Sequence, residues 1–352
     1  MNDWNLENRV KAIRRLTAEK RADCLVLTGP ANVTYVTGFS GGDSWALISP
    51  RAVHLITDSR YVEQADSQCR CRIIARTGSL AEAAAKVINR LKSVRRVALE
   101  KSACLHDFQA LKKTVAVRLT TPTDIVETAR LVKDETEIAA VRDATKIAVD
   151  AFGRAKQAAR PGVTENELAG VVDFEIRKGG GASSFDTIVA FGSNASRPHH
   201  QPGKSRLKKR DTVLIDFGVK YNNYCCDLTR CFAVGRPSVF YREVYEAVLQ
   251  AQAAAIKLAR PGAEIRQLDA AARETIRSRG LAVYGHGTGH GLGLQVHEGP
   301  VISGKSGGKL EAGMIFTIEP GVYIPGKLGV RIEDDILVTE DGCTVLSRSL
   351  AK

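Results

Sequence analysis

Four acidic residues and a run of histidines in the second half of the chain carry the strongest chemical signal in this sequence. Asp216 and Asp227 lie in DTVLIDFGVKYNNYCCDLTR, residues 211–230. The stretch reads as two short strands, 212–219 and 224–232, around a polar turn at 220–223, because β-branched and aromatic runs flank a pair of asparagines. A turn centred between Tyr221 and Asn222 places Asp216 opposite Asp227. Directly opposed side chains stand about 4.5–5.5 Å apart on one face. Two carboxylates that close repel unless one is protonated or a cation lies between them. Two solvated aspartates on a surface hairpin are the alternative reading of this stretch taken alone.

Two further stretches decide between those readings. YGHGTGHGLGLQVHEGP, residues 284–300, holds His286, His290 and His297, with glycine at 285, 287, 289, 291 and 293; RPHHQP upstream adds His199 and His200. Alternating glycines weaken a helix or strand and suit a backbone that must approach something closely. The spacing is not H-E-x-x-H, which excludes a zincin helix. AGMIFTIEPGVYIPGKLGVRIEDDILVT, residues 312–339, reads as core strands, yet Glu319 ends one and Glu333 interrupts another. Carboxylates in apolar strands are costly unless paired or bound to metal. Asp334 and Asp335 read alternatively as a surface turn. Asp216, Asp227, Glu319 and Glu333 with one imidazole form an oxygen-rich set. It suits two divalent ions of the manganese, cobalt, iron or zinc kind better than a thiolate site does. Such a pair activates a water and polarises a carbonyl.

The elements that must position these residues come in two parts. Residues 1 to about 130 alternate helical and short apolar patterns. A helix over 6–20 carries Leu6, Val10, Ile13 and Leu16 on one side, and apolar runs follow at 24–27, 33–36, 45–48 and 53–56. That alternation implies a sheet with helices packed on it. GFSGGD at 38–43 lacks the spacing of a phosphate loop and reads as a plain loop. His54, His106 and Arg60 have no partner constellation in the sequence. A junction falls at 119–134, and a long helix runs from 135 to about 159. Then ARPG at 159–162 recurs at 259–262, each copy between a long Ala-rich helix and a shorter helix, with strands after it. The order implies an internal duplication within 135–340, with a site where the halves meet.

Composition narrows the function classes. With 352 residues, 44% hydrophobic and 26% charged, the chain can bury two cores. The first residues, MNDWNLENRVKAIRR, mix both charge signs without an apolar core, and no run approaches the ~20 apolar residues of a membrane span. A cytoplasmic location, with no membrane partner, is the expectation. The net charge of +12 is spread out; only KSRLKKR at 204–210 is dense, and without interleaved aromatics it reads as a solvated loop rather than a nucleic-acid platform. The eight cysteines form no C-x-x-C pair and read as free thiols. Cys225 is expected to share the face of Asp227, and reads either as an oxidation-sensitive thiol near the site or as a plain packed thiol.

LIDFG, YCCDLTR, HGTGHGLGLQVHE, TIEPGVY and GVRIEDD, together with LTGPANVTYVTGFSGGDSWALI and ITDSRYVEQA upstream, resemble the "pita-bread" metallopeptidases of the aminopeptidase P and prolidase family, which includes creatinase and methionine aminopeptidase. The resemblance covers nearly the whole chain. It implies a creatinase-like α/β N-terminal domain over 1–130 and an α+β pseudo-two-fold pita-bread catalytic domain over 131–352. It implies Asp216, Asp227, His290, Glu319 and Glu333 as ligands of two divalent ions, manganese foremost, with Asp227 and Glu333 bridging. Glu319 would also take the proton of the attacking water, His297 would steady the tetrahedral intermediate, and His199 would lie near the scissile bond. His286, Tyr323 and Arg331 match residues of the substrate pocket and its support. The implied substrates are short peptides cleaved before proline at the N-terminus, as dipeptides or longer chains, and the implied assembly is a homodimer. A creatinase-like hydrolase of a small non-peptide substrate and a non-catalytic binding module are the alternatives; the complete ligand set favours the peptidase. Arg210 stands where the family usually has glycine, and Cys226 where it has a small or hydroxyl residue.

Overall fold

The computed structural model describes residues 3–350 and 352. By internal contacts the chain divides into two compact units, Met1–Arg130 and Leu131–Lys352.

The first unit is built on a six-stranded mixed sheet in the order Arg72–Ala75, Val53–Thr57, Trp45–Ile48, Cys24–Leu27, Arg96–Leu99, Arg118–Thr120. The central strands are apolar on both faces and fully buried, as expected of strands covered by helices. The helix Asp3–Glu19 buries Val10 and Ile13, and Leu80–Arg90 starts at a Ser79/Glu82 capping box. The apolar run 33–36 is helical rather than extended. It lies in Pro30–Thr37, where Pro30 occupies the first turn and every residue from Asn32 to Thr37 is buried. Residues 38–43 form a loop, as their spacing implies. Arg60, which has no visible partner in the sequence, pairs with Asp58 at 2.7 Å and Asp43 at 2.5 Å. Both partners lie close in space, and Asp43 is distant in sequence.

The second unit repeats one plan twice. Helices Glu135–Ala158 and Glu165–Lys178 precede the antiparallel strands Ile188–Phe191, Thr212–Phe217 and Leu228–Ala233. Helices Val239–Leu258 and Ile265–Ser278 precede a five-stranded sheet, Glu298–Ile302, Gly289–Gly291, Ile315–Ile318, Asp334–Val338, Cys343–Val345. The two ARPG copies form the same turn. Gly162 and Gly262 adopt φ of 101° and 81°, a region that favours glycine. Their N–H groups donate to Leu207 O and Leu310 O, each at 2.8 Å, and those leucines donate back to Val163 O and Ala263 O. Each half has its own core: Phe152, Leu168, Ile176, Ile215 and Phe217 in one, Leu268, Ile276, Phe316, Ile318 and Ile336 in the other. Burying one such side chain contributes about 1.5–3 kcal/mol. The duplication read from the repeat is therefore structural.

The basic run 204–210 pairs with the first turn of this plan. Arg206 forms a bridge with Thr164, and its Nη1 donates to Gly162 O at 2.6 Å. Arg210 has φ of 73°, which explains why glycine suits this position. A left-handed conformation costs a non-glycine residue about 1–2 kcal/mol. Arg210→Gly is expected to raise the urea midpoint by the equivalent of about 0.5–1 kcal/mol, the rest being lost to unfolded-chain entropy.

Candidate metal centre

The hairpin departs from the expected register. Asn222 and Asn223, with φ of 48° and 70°, occupy both central positions of a two-residue turn, and Tyr221 pairs with Tyr224. Such a turn needs positive φ twice, which asparagine tolerates and tyrosine does not. The pairing shifts by two residues, so Asp216 faces Thr229 and not Asp227. The strands also break, at Gly218 and at 226–227, where a Cβ on Gly218 would sit 2.4 Å from Cys226 O. The parity of the strands survives the shift, and Asp227 remains on the side of Asp216 as a diagonal neighbour.

Thr229, which the sequence does not single out, takes the position opposite Asp216. Its hydroxyl donates to Glu333 Oε2 at 2.6 Å and accepts from Arg331 Nε at 3.1 Å. Its carbonyl accepts from Glu333 N at 3.1 Å. Arg331 Nη2 donates to Asp216 Oδ2 at 2.5 Å and to Pro198 O at 3.3 Å, while Nη1 donates to the Tyr323 hydroxyl at 2.8 Å. The Tyr323 hydroxyl lies 3.0 Å from His286 Nε2, and His286 Nδ1 lies 2.7 Å from Gly287 O. A carbonyl only accepts, so Nδ1 carries the proton and Tyr323 donates to Nε2. Burial lowers the pKa of His286 to about 4, in keeping with a neutral ring. Four of the five guanidinium N–H groups are thus engaged, and His286, Tyr323, Arg331 and Asp216 form one hydrogen-bonded chain along which Arg331 donates outward to both sides.

His290 comes from the strand Gly289–Gly291, where a register shift between His290 and Gly291 turns the side chain. Its Nδ1 donates to Gly291 O at 3.1 Å, leaving the Nε2 lone pair 3.5 Å from both Asp227 Oδ2 and Glu319 Oε1. This tautomer is the one a metal-binding imidazole needs. The backbone here runs against Thr317: a Cβ on Gly289 would lie 1.8 Å from Thr317 O. Gly289→Ala is expected to cost about 1–3 kcal/mol, the usual penalty of overpacking, visible as a lower denaturation midpoint.

Ligand atoms of Asp216, Asp227 and Glu333 lie within 4.8 Å of one another, as do those of His290, Glu319 and Glu333, and of Asp227, His290 and His297. These residues line a cavity of about 520 Å³ whose wall also includes His199, His286, His297 and Arg331. Burial, then Glu333 and Asp216, hold Asp227 well above the usual carboxylate range; burial, then Glu333, do the same for Glu319. Buried Glu333 is raised too, by burial and then by Asp216. Asp216 Oδ1 and Asp227 Oδ1 are buried without a hydrogen-bond partner. Orphaned acceptors amid crowded carboxylates are the environment that a divalent cation relieves, and the donor set of oxygens with one imidazole fits it.

Residues 139–340 match the model of metallopeptidase family M24, and residues 9–132 match that of the Creatinase/Prolidase N-terminal domain. The chain belongs to metallopeptidase family M24. It is 38% identical to the uncharacterized peptidase YqhT of Bacillus subtilis, over 97% of this chain and 98% of that one. Among solved structures it resembles the Xaa-Pro dipeptidase from Bacillus anthracis, at TM-score 0.95 and 36% identity over 99% of each chain. It also resembles the X-Pro aminopeptidase from Thermotoga maritima, at TM-score 0.88 and 37% identity over 95% of this chain and 97% of that one. An α/β N-terminal domain followed by a pita-bread domain is the architecture they share.

Within the M24 frame the five acidic and imidazole positions expected from the sequence do converge, although Asp216 and His290 lie in different strands and Asp227, Glu319 and Glu333 in breaks beside three others. Asp334 and Asp335 are not a surface turn. Both are fully buried in the strand Asp334–Val338. Asp334 accepts from Arg230 at 2.6 Å and Ser347 at 2.5 Å, and Asp335 receives the N–H of Asp227 at 3.3 Å. These paired neighbours stand behind Glu333 and Asp227. Cys225 is buried, and its thiol is pushed up to about 12 by burial, so its reactive thiolate is suppressed. Cys226 packs in the core of the first half. Loop anchors were also invisible in the sequence. Arg273, on the helix Ile265–Ser278, donates to Tyr284 O at 2.8 Å and His286 O at 2.6 Å, and Asp269 accepts from Thr288 at 2.7 Å. Their only sequence signal is charge on the inner face of an amphipathic helix.

Among the described residues, no helix is long and apolar enough to cross a membrane.

Proposed function

We propose that this chain hydrolyses the bond preceding proline at the N-terminus of short peptides, with two divalent ions held by Asp216, Asp227, His290, Glu319 and Glu333. The observation that carries the reading is the convergence of these five residues in one cavity, with two orphaned carboxylate oxygens among them. The likeness to an Xaa-Pro dipeptidase and an X-Pro aminopeptidase supports the substrate class. Glu333 belongs to both the Asp216–Asp227 group and the His290–Glu319 group, which supports a bridging role for it; Asp227 is the other bridge. Bound there, such ions supply Lewis acidity to a water and to the scissile carbonyl. The residues of the chain do the rest. Glu319 takes the proton of the attacking water, its basicity sustained by a buried site. The hydrogen-bonded chain from His286 through Tyr323 and Arg331 holds Asp216 in place. His199 and His297 stand on the cavity wall, beside the scissile bond and the tetrahedral intermediate. A prolyl nitrogen has no N–H, so recognition rests on shape and on the flanking groups. Manganese, a homodimer and the cytoplasm complete the proposal.

His297 tests the division of labour. Its ring centroid is 4.3 Å from that of His290, and a ring nitrogen is within reach of the Asp227 cluster. His297→Ala is expected to lower kcat by about 10²–10³-fold, the usual effect of losing one transition-state donor, with metal content unchanged. Loss of metal in elemental analysis would reassign it as a ligand. The activity itself is tested on chelated protein resupplied with manganese, cobalt or zinc, with Ala-Pro-Ala as substrate and creatine as control. Release of alanine supports the peptidase; turnover of creatine alone overturns it.

A further inference from the structure

His200 also lines the cavity, and its surroundings set what it can recognise. Its Nε2 lies 2.9 Å from Oε2 of Glu165, a carboxylate with no solvent exposure at the start of the helix Glu165–Lys178. The other partners of Glu165 are all donors. Phe191 N and Asn194 Nδ2 donate to Oε1 at 2.9 and 2.8 Å, and Gly203 N donates to Oε2 at 3.1 Å. A carboxylate surrounded by donors accepts from each, so Nε2 of His200 carries its proton toward Glu165. The neutral ring then has its lone pair on Nδ1, as in other imidazoles oriented by a carboxylate. On the same wall stands the exposed carboxylate Asp186. Among the described residues lining the cavity, Arg331 is the only lysine or arginine, and its guanidinium is committed to Asp216, Tyr323, Thr229 and Pro198.

The wall beyond the proposed ligands therefore offers the acceptors Nδ1 of His200 and Asp186, the neutral amide of Gln201, which both donates and accepts, and no uncommitted Lys or Arg cation. We infer that His200, oriented by Glu165, reads an N–H donor just past the proline, so the chain favours substrates whose prolyl carbonyl is an amide over Xaa-Pro dipeptides ending in a free carboxylate. A tripeptide presents that donor in the amide N–H of its third residue. A dipeptide presents a carboxylate to Nδ1 and Asp186, where acceptors meet acceptors. This specificity rests on the Xaa-Pro reading above. Glu165 is a positioning residue: it touches no substrate and acts through the tautomer of His200.

The test compares kcat/KM at pH 8.5, above the usual imidazole range, for Ala-Pro, Ala-Pro-amide and Ala-Pro-Ala on the metal-loaded protein. The amide and the tripeptide are expected to exceed Ala-Pro by about tenfold or more, the effect of leaving a charged group without a partner. Glu165→Gln supplies the readout that a merely structural role would not move. The introduced amide keeps its oxygen toward the two donors at Phe191 and Asn194 and turns its NH₂ toward His200, leaving the Gly203 N–H without its acceptor, a stability cost that is the same for every substrate and so cancels in the ratio. Nε2 becomes the acceptor, and Nδ1 becomes a donor suited to a carboxylate. The ratio of Ala-Pro-amide to Ala-Pro is then expected to fall several-fold, even if overall activity drops. His200→Phe removes Nδ1 and is expected to bring the ratio toward one, which covers the case in which Glu165→Gln does not fold. Equal or better cleavage of Ala-Pro by the unaltered protein overturns the inference and leaves the Xaa-Pro reading intact. So does an unchanged ratio in either folded variant. Cleavage of none of the three overturns the Xaa-Pro reading itself.

Discussion

Asp227→Asn is expected to lower kcat/KM on Ala-Pro-Ala by on the order of 10³-fold or more, with the fold retained. The several kcal/mol of charge stabilisation that two ions supply depend on a bridging anion, and each 1.36 kcal/mol is tenfold in rate. Asparagine keeps the shape of the side chain, and the backbone bond from its N–H to Asp335 is unaffected. The orphaned Oδ1 acquires no clash, because it has no protein partner to lose. The substitution also removes one of the charges crowded around Glu333 and Asp216. Chelated Asp227→Asn is accordingly expected to melt no lower than chelated wild type, by circular dichroism. Activity within tenfold of wild type would falsify the bridging assignment. A chelated variant that melts far below chelated wild type would show Asp227 holding the fold rather than the ions.

Chelation of the wild-type protein is expected to abolish activity and lower the melting temperature by about 6–10 °C, both restored by manganese. A ligand present at about a hundred times its dissociation constant stabilises the folded state by about 2.7 kcal/mol, and about 1 kcal/mol shifts Tm by about 2–4 °C in a unit of this size. The physical source is specific. In the protein alone, Asp227, Glu319 and Glu333 are disfavoured as anions first by burial and then by a neighbouring carboxylate, Glu333 for Asp227 and Glu319 and Asp216 for Glu333. A divalent cation converts that repulsion into attraction. Differential scanning fluorimetry with and without chelator reads the effect directly. An identical melting curve in both conditions would mean that the carboxylates are compensated within the protein.

How much of this was legible from the residues can be judged position by position. Local pattern was enough wherever the signal is local. The period of apolar residues and the ARPG repeat placed the long helices and the duplicated plan. Chemical type was enough to single out Asp216, Asp227, Glu319 and Glu333, because a carboxylate inside an apolar strand is conspicuous without coordinates, whereas the choice of His290 among the histidines came from the family resemblance. The run 33–36 misled because it lies in a stretch of short helix buried on all sides, with no polar face to declare its period.

Other features depended on what meets across the fold. The register of the hairpin turned on which two residues adopt positive φ, and a shift of two keeps the alternation pattern that a sequence displays. Asp334 and Asp335 look like a surface turn until Arg230, Ser347 and the N–H of Asp227 arrive from distant segments to pair with them. Arg331 looks available to a substrate until it is found spent on Asp216. His200 and Glu165 are 35 residues apart, and the proton position that links them exists only once the helix Glu165–Lys178 faces the loop after Phe191. The sequence by itself determined which groups can do chemistry and which elements carry them. The tertiary structure alone decided which of those groups are paired, because pairing depends on distance and direction between segments, and a linear order of residues contains neither.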